Sequence, residues 1–235
     1  LIYTVQSHVL SPDIQGTDMT FAKSTKLSDI NPQQKDKKWS TVEMINWSSL
    51  DGIPLEGLLY KPEDFDATKE YPLIVYFYER NSDNIHRYWG ATPIRSIINP
   101  AFYASRGYLV FIPDIVYRDG YPGPSCYNAV MPGVTQLINE GYVDIDHIGM
   151  QGHSWGGYQT AYLATRTNLF ACAESGAPVA NMTSAYGGIR WGSGLSRMFQ
   201  YERTQSRLGG TLWQYPMRYI ENSPIFFVDR INTPM

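Results

Sequence analysis

Residues 147–165 constrain the fold of this chain more than any other stretch. A short apolar segment at 148–150 runs into Gly-His-Ser-Trp-Gly and then into residues that can form a helix. In a strand–turn–helix context, the pattern Gly-x-Ser-x-Gly is typical of a nucleophile elbow. Gly152 and Gly156 would face each other across the turn, where there is no room for a Cβ atom. We therefore predict that Ser154 adopts a strained backbone conformation and presents its hydroxyl above the sheet.

The bare pattern is a weak signal, since composition alone would produce it about 0.1 times in a chain of this kind. The alternative for Ser154 is a plain glycine-rich turn with an exposed serine. Small residues on both sides of Ser154 favour the elbow. Ser175 also lies among small residues, but Pro178 follows and no helical pattern begins there. That second segment is better interpreted as the end of a strand.

Strand and helix patterns alternate along the rest of the chain. Apolar or alternating runs predict strands at 42–47, 55–60, 72–78, 108–112 and 170–177. Helical spacing predicts one helix that begins at Pro100, capped by Asn99, and another over 129–138. Asp51-Gly52 is a hairpin signal between the first two strands. This order favours an α/β fold, with a mostly parallel sheet preceded by an antiparallel hairpin.

Residues 1–38 differ from the remainder because they carry too few apolar side chains to bury a core of their own. Strand-like alternation covers 2–6, and 18–27 could hold a second strand. We interpret Ser11-Pro12-Asp13 as a break between them. The region is predicted to be the end of a preceding domain, followed by a linker.

Composition excludes several classes of function. The chain has 235 residues, 43% of them hydrophobic, which is enough for the core of one α/β domain. Its net charge of −3, without a basic cluster, argues against nucleic-acid binding. No apolar run reaches the length of a membrane span. No metal or cofactor is predicted, and the compartment and the oligomeric state, including a homo-oligomer, stay open.

Three motifs resemble the prolyl oligopeptidase family of serine peptidases, especially its dipeptidyl-peptidase-IV-like and acylaminoacyl-peptidase-like branches. They are Gly-His-Ser-Trp-Gly-Gly-Tyr at 152–158, Leu-Asp-Gly at 50–52 with Leu-Glu-Gly at 55–57, and Tyr-Val-Asp at 142–144. The resemblance implies an α/β-hydrolase fold over 39–235. It also implies that 1–38 are the remnant of a β-propeller blade plus a linker.

Acyl-enzyme chemistry on short peptides is the activity that the resemblance implies, with Ser154 as the nucleophile. The elbow itself would supply one oxyanion donor, the backbone N–H of Trp155. The general base has to be a histidine oriented by a carboxylate, in the chain order Ser, Asp, His. No histidine follows Ser154, and the upstream His86 and His153 are poor substitutes. We therefore expect the chain to end before the triad Asp and His, and to be inactive alone.

The family's second oxyanion donor is a tyrosine hydroxyl, and Tyr78 best matches its motif position. Strand alternation would place Tyr78 on the same face as Tyr76. Family members usually have glycines after this tyrosine, whereas Glu79 and Arg80 follow it here. The loop that carries Tyr78 is therefore expected to differ in shape from that of the relatives.

The substrate pocket of relatives is built from aromatic residues just after the strand that here ends near 177–179. Val179 and Tyr186 fit that region, which opens an aromatic-rich and glycine-rich excursion over the sheet. Met182 stands where proline-specific relatives tend to have a tryptophan. Strict cleavage after proline is therefore not expected.

The predicted partners are a peptide substrate and the β-propeller of the same parent chain, with no nucleic acid. Two other functions stay open at this point. A carboxylesterase would share the elbow, and a non-catalytic binding domain could keep the whole fold.

Overall fold

The computed structural model describes residues 1–90, 92 and 97–235. Within them, the strands are β1 (Ile2–Ser7), β2 (Leu10–Thr17), β3 (Ser24–Lys26), β4 (Ser40–Ser48), β5 (Pro54–Pro62), β6 (Tyr71–Tyr76), β7 (Leu109–Pro113), β8 (Val143–His153), β9 (Cys172–Gly176), β10 (Ile189–Arg190) and β11 (Leu195–Ser196). The helices are α1 (Pro100–Ala104), α2 (Pro122–Asn139), α3 (Trp155–Ala164), α4 (Met182–Tyr186), α5 (Met198–Glu202) and α6 (Pro216–Glu221). Short 3₁₀ segments cover Pro32–Asp36, Ser82–Asn84 and Pro224–Arg230.

A six-stranded mixed sheet in the order β4-β5-β7-β6-β8-β9 forms the centre of the molecule. β4, β5 and β7 pair antiparallel, whereas β7, β6, β8 and β9 pair parallel. Gly52 has a φ of 76° in the turn between β4 and β5, a conformation that glycine adopts readily. Every residue of β7 is buried, as expected of a strand covered on both faces. The predicted α/β class and the antiparallel hairpin in front of it are confirmed.

Helices cover both faces of this sheet. Because side chains alternate along each strand, successive residues pack against opposite helical layers. Leu59, Phe111 and Met150 point to the face under α2 and α3, while Leu58 and Val110 belong to the opposite face. Each fully buried side chain of this size contributes about 1.5–3 kcal/mol through burial alone. The two layers therefore fix the register of the strands that carry the candidate site.

Helix α1 begins as the sequence predicts. The Asn99 side chain accepts a hydrogen bond from the N–H of Phe102 at 3.2 Å, and Pro100 occupies the first turn, where no N–H is needed. Gly107 follows the helix with a φ of 90°. In the same way, Gly141 has a φ of 83° just after α2. Both glycines end their helices in the left-handed conformation.

The first three strands form a separate antiparallel sheet, in the order β1-β2-β3. The prediction of a break at residues 11–13 is wrong, because Pro12 lies inside β2. It sits at a register shift against β1 and beyond the part of β2 that pairs with β3, so its missing N–H costs no ladder bond. This sheet contacts the larger one through His8, whose Nε2 lies 2.7 Å from Ser40 Oγ. A domain boundary at residue 38 stays a prediction.

Chain segments after β9 form the predicted excursion above the sheet. It contains α4, α5 and α6, together with a small hairpin of β10 and β11 that the sequence did not suggest. Across the described ranges, no helix combines the length and the apolar character needed to cross a membrane.

Candidate active site

Ser154 occupies a sharp turn between β8 and α3. Its backbone has φ 59° and ψ −111°, a combination that is costly for a residue with a side chain. Two hydrogen bonds hold it there. The N–H of Ser154 donates to the carbonyl of Gly176 at 2.8 Å, and its carbonyl accepts from the N–H of Tyr158 at 3.0 Å. The serine is partly exposed at the C-terminal edge of the parallel strands.

Close backbone approaches explain the glycines around Ser154. A Cβ on Gly152 would overlap the backbone of Gly156, and one on Gly156 would overlap the carbonyl oxygen of Phe77. The next residue, Gly157, approaches the carbonyl of Gly176 in the same way. Backbone atoms cannot swing aside as flexible side chains do, so each of these positions requires glycine. The steric argument for the first two glycines made from the sequence agrees with this geometry.

The hydroxyl of Ser154 has no hydrogen-bond partner among the described residues. His8 is buried against Ser40, and His147 Nδ1 lies 2.7 Å from a carboxylate oxygen of Asp144 on the surface. His86 is exposed, and His153, although adjacent in sequence, makes no hydrogen bond to Ser154. Within the part of the chain that is described, no histidine is in place to activate the serine.

Trp155 opens α3 directly after the serine. Its backbone N–H makes no hydrogen bond within the described residues, and a role as oxyanion donor stays a prediction. The indole is buried, stacks on the Tyr158 ring at a centroid distance of 4.5 Å, and donates from Nε1 to the hydroxyl of Tyr117 at 3.1 Å. These contacts fix the first turn of the helix relative to the serine.

Trp155 belongs to a buried group of side chains above the sheet edge, which we call the aromatic cluster. Its members are Trp155, Tyr158, Tyr162, Met182, Tyr186, Tyr201, Leu208 and Tyr219.

Tyr78 packs against the aromatic cluster, whereas Tyr76 belongs to the apolar group on the face that carries Leu58 and Val110. The expectation that the two tyrosines share a face is wrong, because β6 ends at Tyr76 and strand alternation stops there. The hydroxyl of Tyr78 accepts a hydrogen bond from Nε2 of Gln205 at 3.0 Å. The turn after β6 therefore brings Tyr78 to the same cluster as Trp155.

Charged residues shape the loop that follows Tyr78. Glu79 forms an ion pair with Arg207, with Nη1–Oε1 and Nη2–Oε2 distances of 3.1 and 3.3 Å. The buried carboxylate of Asp114 accepts hydrogen bonds from the backbone N–H groups of Asn81 and Ser82 at 2.6 and 2.9 Å. The loop is therefore held by specific polar contacts.

Two further side chains, the buried Gln159 and the partly buried Tyr117, reach the backbone at Tyr78. The carbonyl of Tyr78 accepts from Gln159 Nε2 at 2.7 Å and from the hydroxyl of Tyr117 at 3.1 Å. Burial raises the pKa of the Tyr117 hydroxyl well above its ordinary value, so that it remains a donor. Sequence reasoning missed both residues, since a glutamine within a helix and a tyrosine within a loop carry no local signal of this role.

The predicted pocket residues lie together at the aromatic cluster. Val179 is partly exposed beside it, whereas Met182 and Tyr186 are buried inside it. The Tyr186 hydroxyl hydrogen-bonds to the carboxylate of Glu202, and burial is the first cause that raises the pKa of Tyr186 to about 12. The Tyr186 ring packs edge-on against Tyr219 at 5.3 Å. A role for these three residues in a substrate pocket stays a prediction.

No group of three or more His, Cys, Asp or Glu side chains is arranged to hold a metal ion in the described ranges. The polar groups at this edge of the sheet include the backbone N–H of Trp155 and the hydroxyl of Tyr78. Such groups can orient a nucleophile and bind a developing negative charge.

Residues 95–235 match the model of the prolyl oligopeptidase family of peptidases. The match covers more than half of the chain, which therefore belongs to this family. Dipeptidyl-peptidase 5 of Porphyromonas endodontalis is 25% identical over 268 residues, covering 95% of this chain and 35% of the relative. Human dipeptidyl peptidase 8 is 28% identical over 152 residues, covering 58% of this chain and 16% of the relative. The chain thus spans about a third of the first relative and less of the second.

Solved structures of peptidases share the fold. An acylaminoacyl peptidase in complex with Z-Gly-Gly-Phe-chloromethyl ketone superposes with a TM-score of 0.73 at 20% identity, covering 100% of this chain and 37% of that one. Dipeptidyl peptidase 4 of Porphyromonas gingivalis gives a TM-score of 0.69 at 21% identity, covering 99% of this chain and 32% of that one. The α/β-hydrolase fold predicted from the motifs is confirmed.

Proposed function

We propose that this chain carries the nucleophile of a serine peptidase that cleaves short peptides through an acyl-enzyme intermediate. The observation that carries the proposal is the backbone of Ser154, with a φ of 59° at a strand–helix elbow. Strain of this kind persists only where the surrounding structure enforces it, and here three glycines permit it. Membership of a peptidase family supports the same chemistry.

In this mechanism Ser154 Oγ attacks the carbonyl carbon of the scissile peptide bond, while its proton passes to a histidine base. The carbonyl oxygen becomes an oxyanion that accepts hydrogen bonds from the N–H of Trp155 and the hydroxyl of Tyr78. The protonated base then donates its proton to the leaving amine, and the acyl-enzyme forms. Water, activated by the same base, releases the acid and restores Ser154.

The histidine and the aspartate that orients it come, in our proposal, from outside residues 1–235. Support comes from the sequence, in which no histidine follows Ser154, and from the absence of a histidine contact to Ser154 in the described residues. Residues 1–235 alone are then inactive, because a serine without a base is a poor nucleophile at neutral pH.

We assign the three-stranded sheet of residues 1–38 to a preceding β-propeller blade with its linker, and residues 39–235 to the peptidase domain. The antiparallel order β1-β2-β3 is compatible with part of a blade. The substrates are short peptides, in keeping with the dipeptidyl-peptidase and acylaminoacyl-peptidase names of the relatives. We propose no strict preference for proline, because Met182 stands where proline-specific relatives tend to have a tryptophan.

The test compares aminoacyl-amide and acyl-ester substrates on the full-length protein that carries this chain. We expect amide hydrolysis that Ser154→Ala abolishes, while Ser48→Ala, at an exposed serine that ends β4, retains it. Turnover of esters without amides would replace the peptidase by a carboxylesterase. The absence of both activities would favour a non-catalytic binding domain.

A further inference from the structure

A chain of side-chain hydrogen bonds runs from the surface to the hydroxyl of Tyr78. Arg190 Nη2 donates to Gln200 Oε1 at 2.6 Å, and Gln200 Nε2 donates to Gln205 Oε1 at 2.8 Å. Gln205 Nε2 in turn donates to the hydroxyl oxygen of Tyr78 at 3.0 Å. Gln200 is buried, and Arg190 is exposed on the small hairpin. These hydrogen bonds connect residues 190–205 with Tyr78, which lies 127 positions before Gln205 in the sequence.

The donor-to-acceptor direction of these three hydrogen bonds follows from the residue at their surface end, Arg190. A guanidinium group has donors and no acceptor, so Gln200 has to present its amide oxygen to Arg190. The amide nitrogen of Gln200 then faces Gln205, which in turn has to present its oxygen to Gln200. Consequently the amide nitrogen of Gln205 faces Tyr78, whose hydroxyl oxygen can only accept. The single hydroxyl proton of Tyr78 is left with no acceptor among the described residues.

Arg207 links the backbone of Gln205 to Glu79, the residue after Tyr78. Arg207 Nη1 donates to the carbonyl of Gln205 at 2.6 Å, and the same guanidinium pairs with Glu79. Arg207 has a φ of 52°, so the turn that presents these groups is constrained in a conformation that few side chains favour. The turn that carries Gln205 and Arg207 therefore holds the side chains of two adjacent residues, Tyr78 and Glu79.

We propose that Gln205 is a positioning residue for the oxyanion donor. By donating to the Tyr78 oxygen, it keeps the tyrosine proton free for the oxyanion that forms at Ser154. The proposal rests on the function proposed above, in which Tyr78 is the second donor. Gln205 itself does not contact the substrate in this scheme.

The test uses Gln205→Glu and Gln205→Met in the full-length enzyme, with kcat and KM measured on one aminoacyl amide. A carboxylate at position 205 would accept a hydrogen bond from the Tyr78 hydroxyl, which would then be unavailable to the oxyanion. Methionine would only remove the amide N–H that donates to Tyr78. Loss of one oxyanion donor costs on the order of 100-fold in kcat. We expect Gln205→Glu to approach the loss seen for Tyr78→Phe with KM little changed, and Gln205→Met to lose less.

A double variant separates positioning from a general structural effect. If Gln205 acts through the hydroxyl, Gln205→Glu in the Tyr78→Phe background costs nothing further. The matched control is Gln214→Glu, an exposed glutamine whose contacts within the described residues lie in its own turn at Thr211. Urea unfolding midpoints equal to that of the parent protein would show that each variant folds.

Three outcomes would overturn the proposal. Gln205→Glu could retain kcat within twofold of the parent, the double variant could show fully additive losses, or Tyr78→Phe could leave kcat unchanged. Ser154→Ala, assayed alongside, reports separately on the proposed function. Loss of activity in Ser154→Ala together with any of these three results would reject the role of Gln205 and leave the nucleophile intact.

Discussion

The backbone N–H of Ser154 donates a hydrogen bond of 2.8 Å to the carbonyl oxygen of Gly176, at the end of the neighbouring strand. The pairing of β8 with β9 reaches the same level, where His153 lies opposite Gly176. The candidate nucleophile is therefore attached to the sheet by the last rung of its parallel ladder. The position of Ser154 therefore depends on how closely the backbones of the turn, of α3 and of the two strands approach one another.

Replacing Gly152 by alanine should disrupt this approach. The new Cβ would overlap the backbone of Gly156, which cannot move without shifting the start of α3. We expect a loss of about 1–3 kcal/mol in the free energy of unfolding, measured by urea denaturation. Gly187→Ala is the control, because its Cβ would meet no atom within 4 Å and its φ is −81°. Equal stability of the two variants would contradict the steric account of the elbow.

Asp114 should be essential for the loop after Tyr78. Its buried carboxylate accepts from two backbone N–H groups and from Ser82 Oγ at 2.5 Å. Asp114→Ala leaves these donors without a partner, so we expect it to destabilise the protein by about 1–3 kcal/mol. Asp83→Ala removes an exposed carboxylate that pairs with Arg80, and should cost less than about 0.5 kcal/mol. A small effect of Asp114→Ala would mean that the loop is held by other contacts.

The free energy of unfolding should fall at acid pH because of His8, which lies between the two sheets. Burial lowers the pKa of His8 to about 4. The unfolded chain, with an ordinary histidine pKa near 6.5, then binds a proton before the folded chain does. Stability is therefore complete above pH 6.5 and falls as the pH drops towards 4, by at most about 3 kcal/mol.

The measurement is the unfolding free energy between pH 4 and 7.5 for the parent protein and for His8→Gln, which keeps a donor for Ser40. The difference between the two should shrink or reverse as the pH falls. His86→Gln, at an exposed histidine, should follow the parent at every pH. Parallel curves for the parent and His8→Gln would show that His8 is not linked to folding.

Much of the fold is predictable from local pattern. Gly152 and Gly156 mark the elbow because a tight turn has few solutions, and Asn99 with Pro100 marks the start of a helix for an equally local reason. Strand ends were less accurate. Tyr78 continues the apolar run of β6, so the sequence extends the strand by two residues, and only tertiary contacts show that it ends at Tyr76.

Contacts between distant segments could not be predicted. Gln205 and Arg207 lie more than a hundred residues after Tyr78 and Glu79, and no periodicity relates the two segments. Nothing in the residues around Asp114 indicates that it accepts hydrogen bonds from a loop 32 residues upstream. Such polar contacts depend on how the excursion above the sheet folds back, which a single sequence does not encode in a local motif.

The most direct test of the central claim is covalent labelling of Ser154 in the full-length protein with a fluorophosphonate, mapped by mass spectrometry of the digested protein. We predict stoichiometric modification of Ser154, complete loss of amide hydrolysis, and no labelling of the Ser154→Ala variant. Hydrolysis that continues after labelling, or a label found on another serine while Ser154 stays free, would contradict the account.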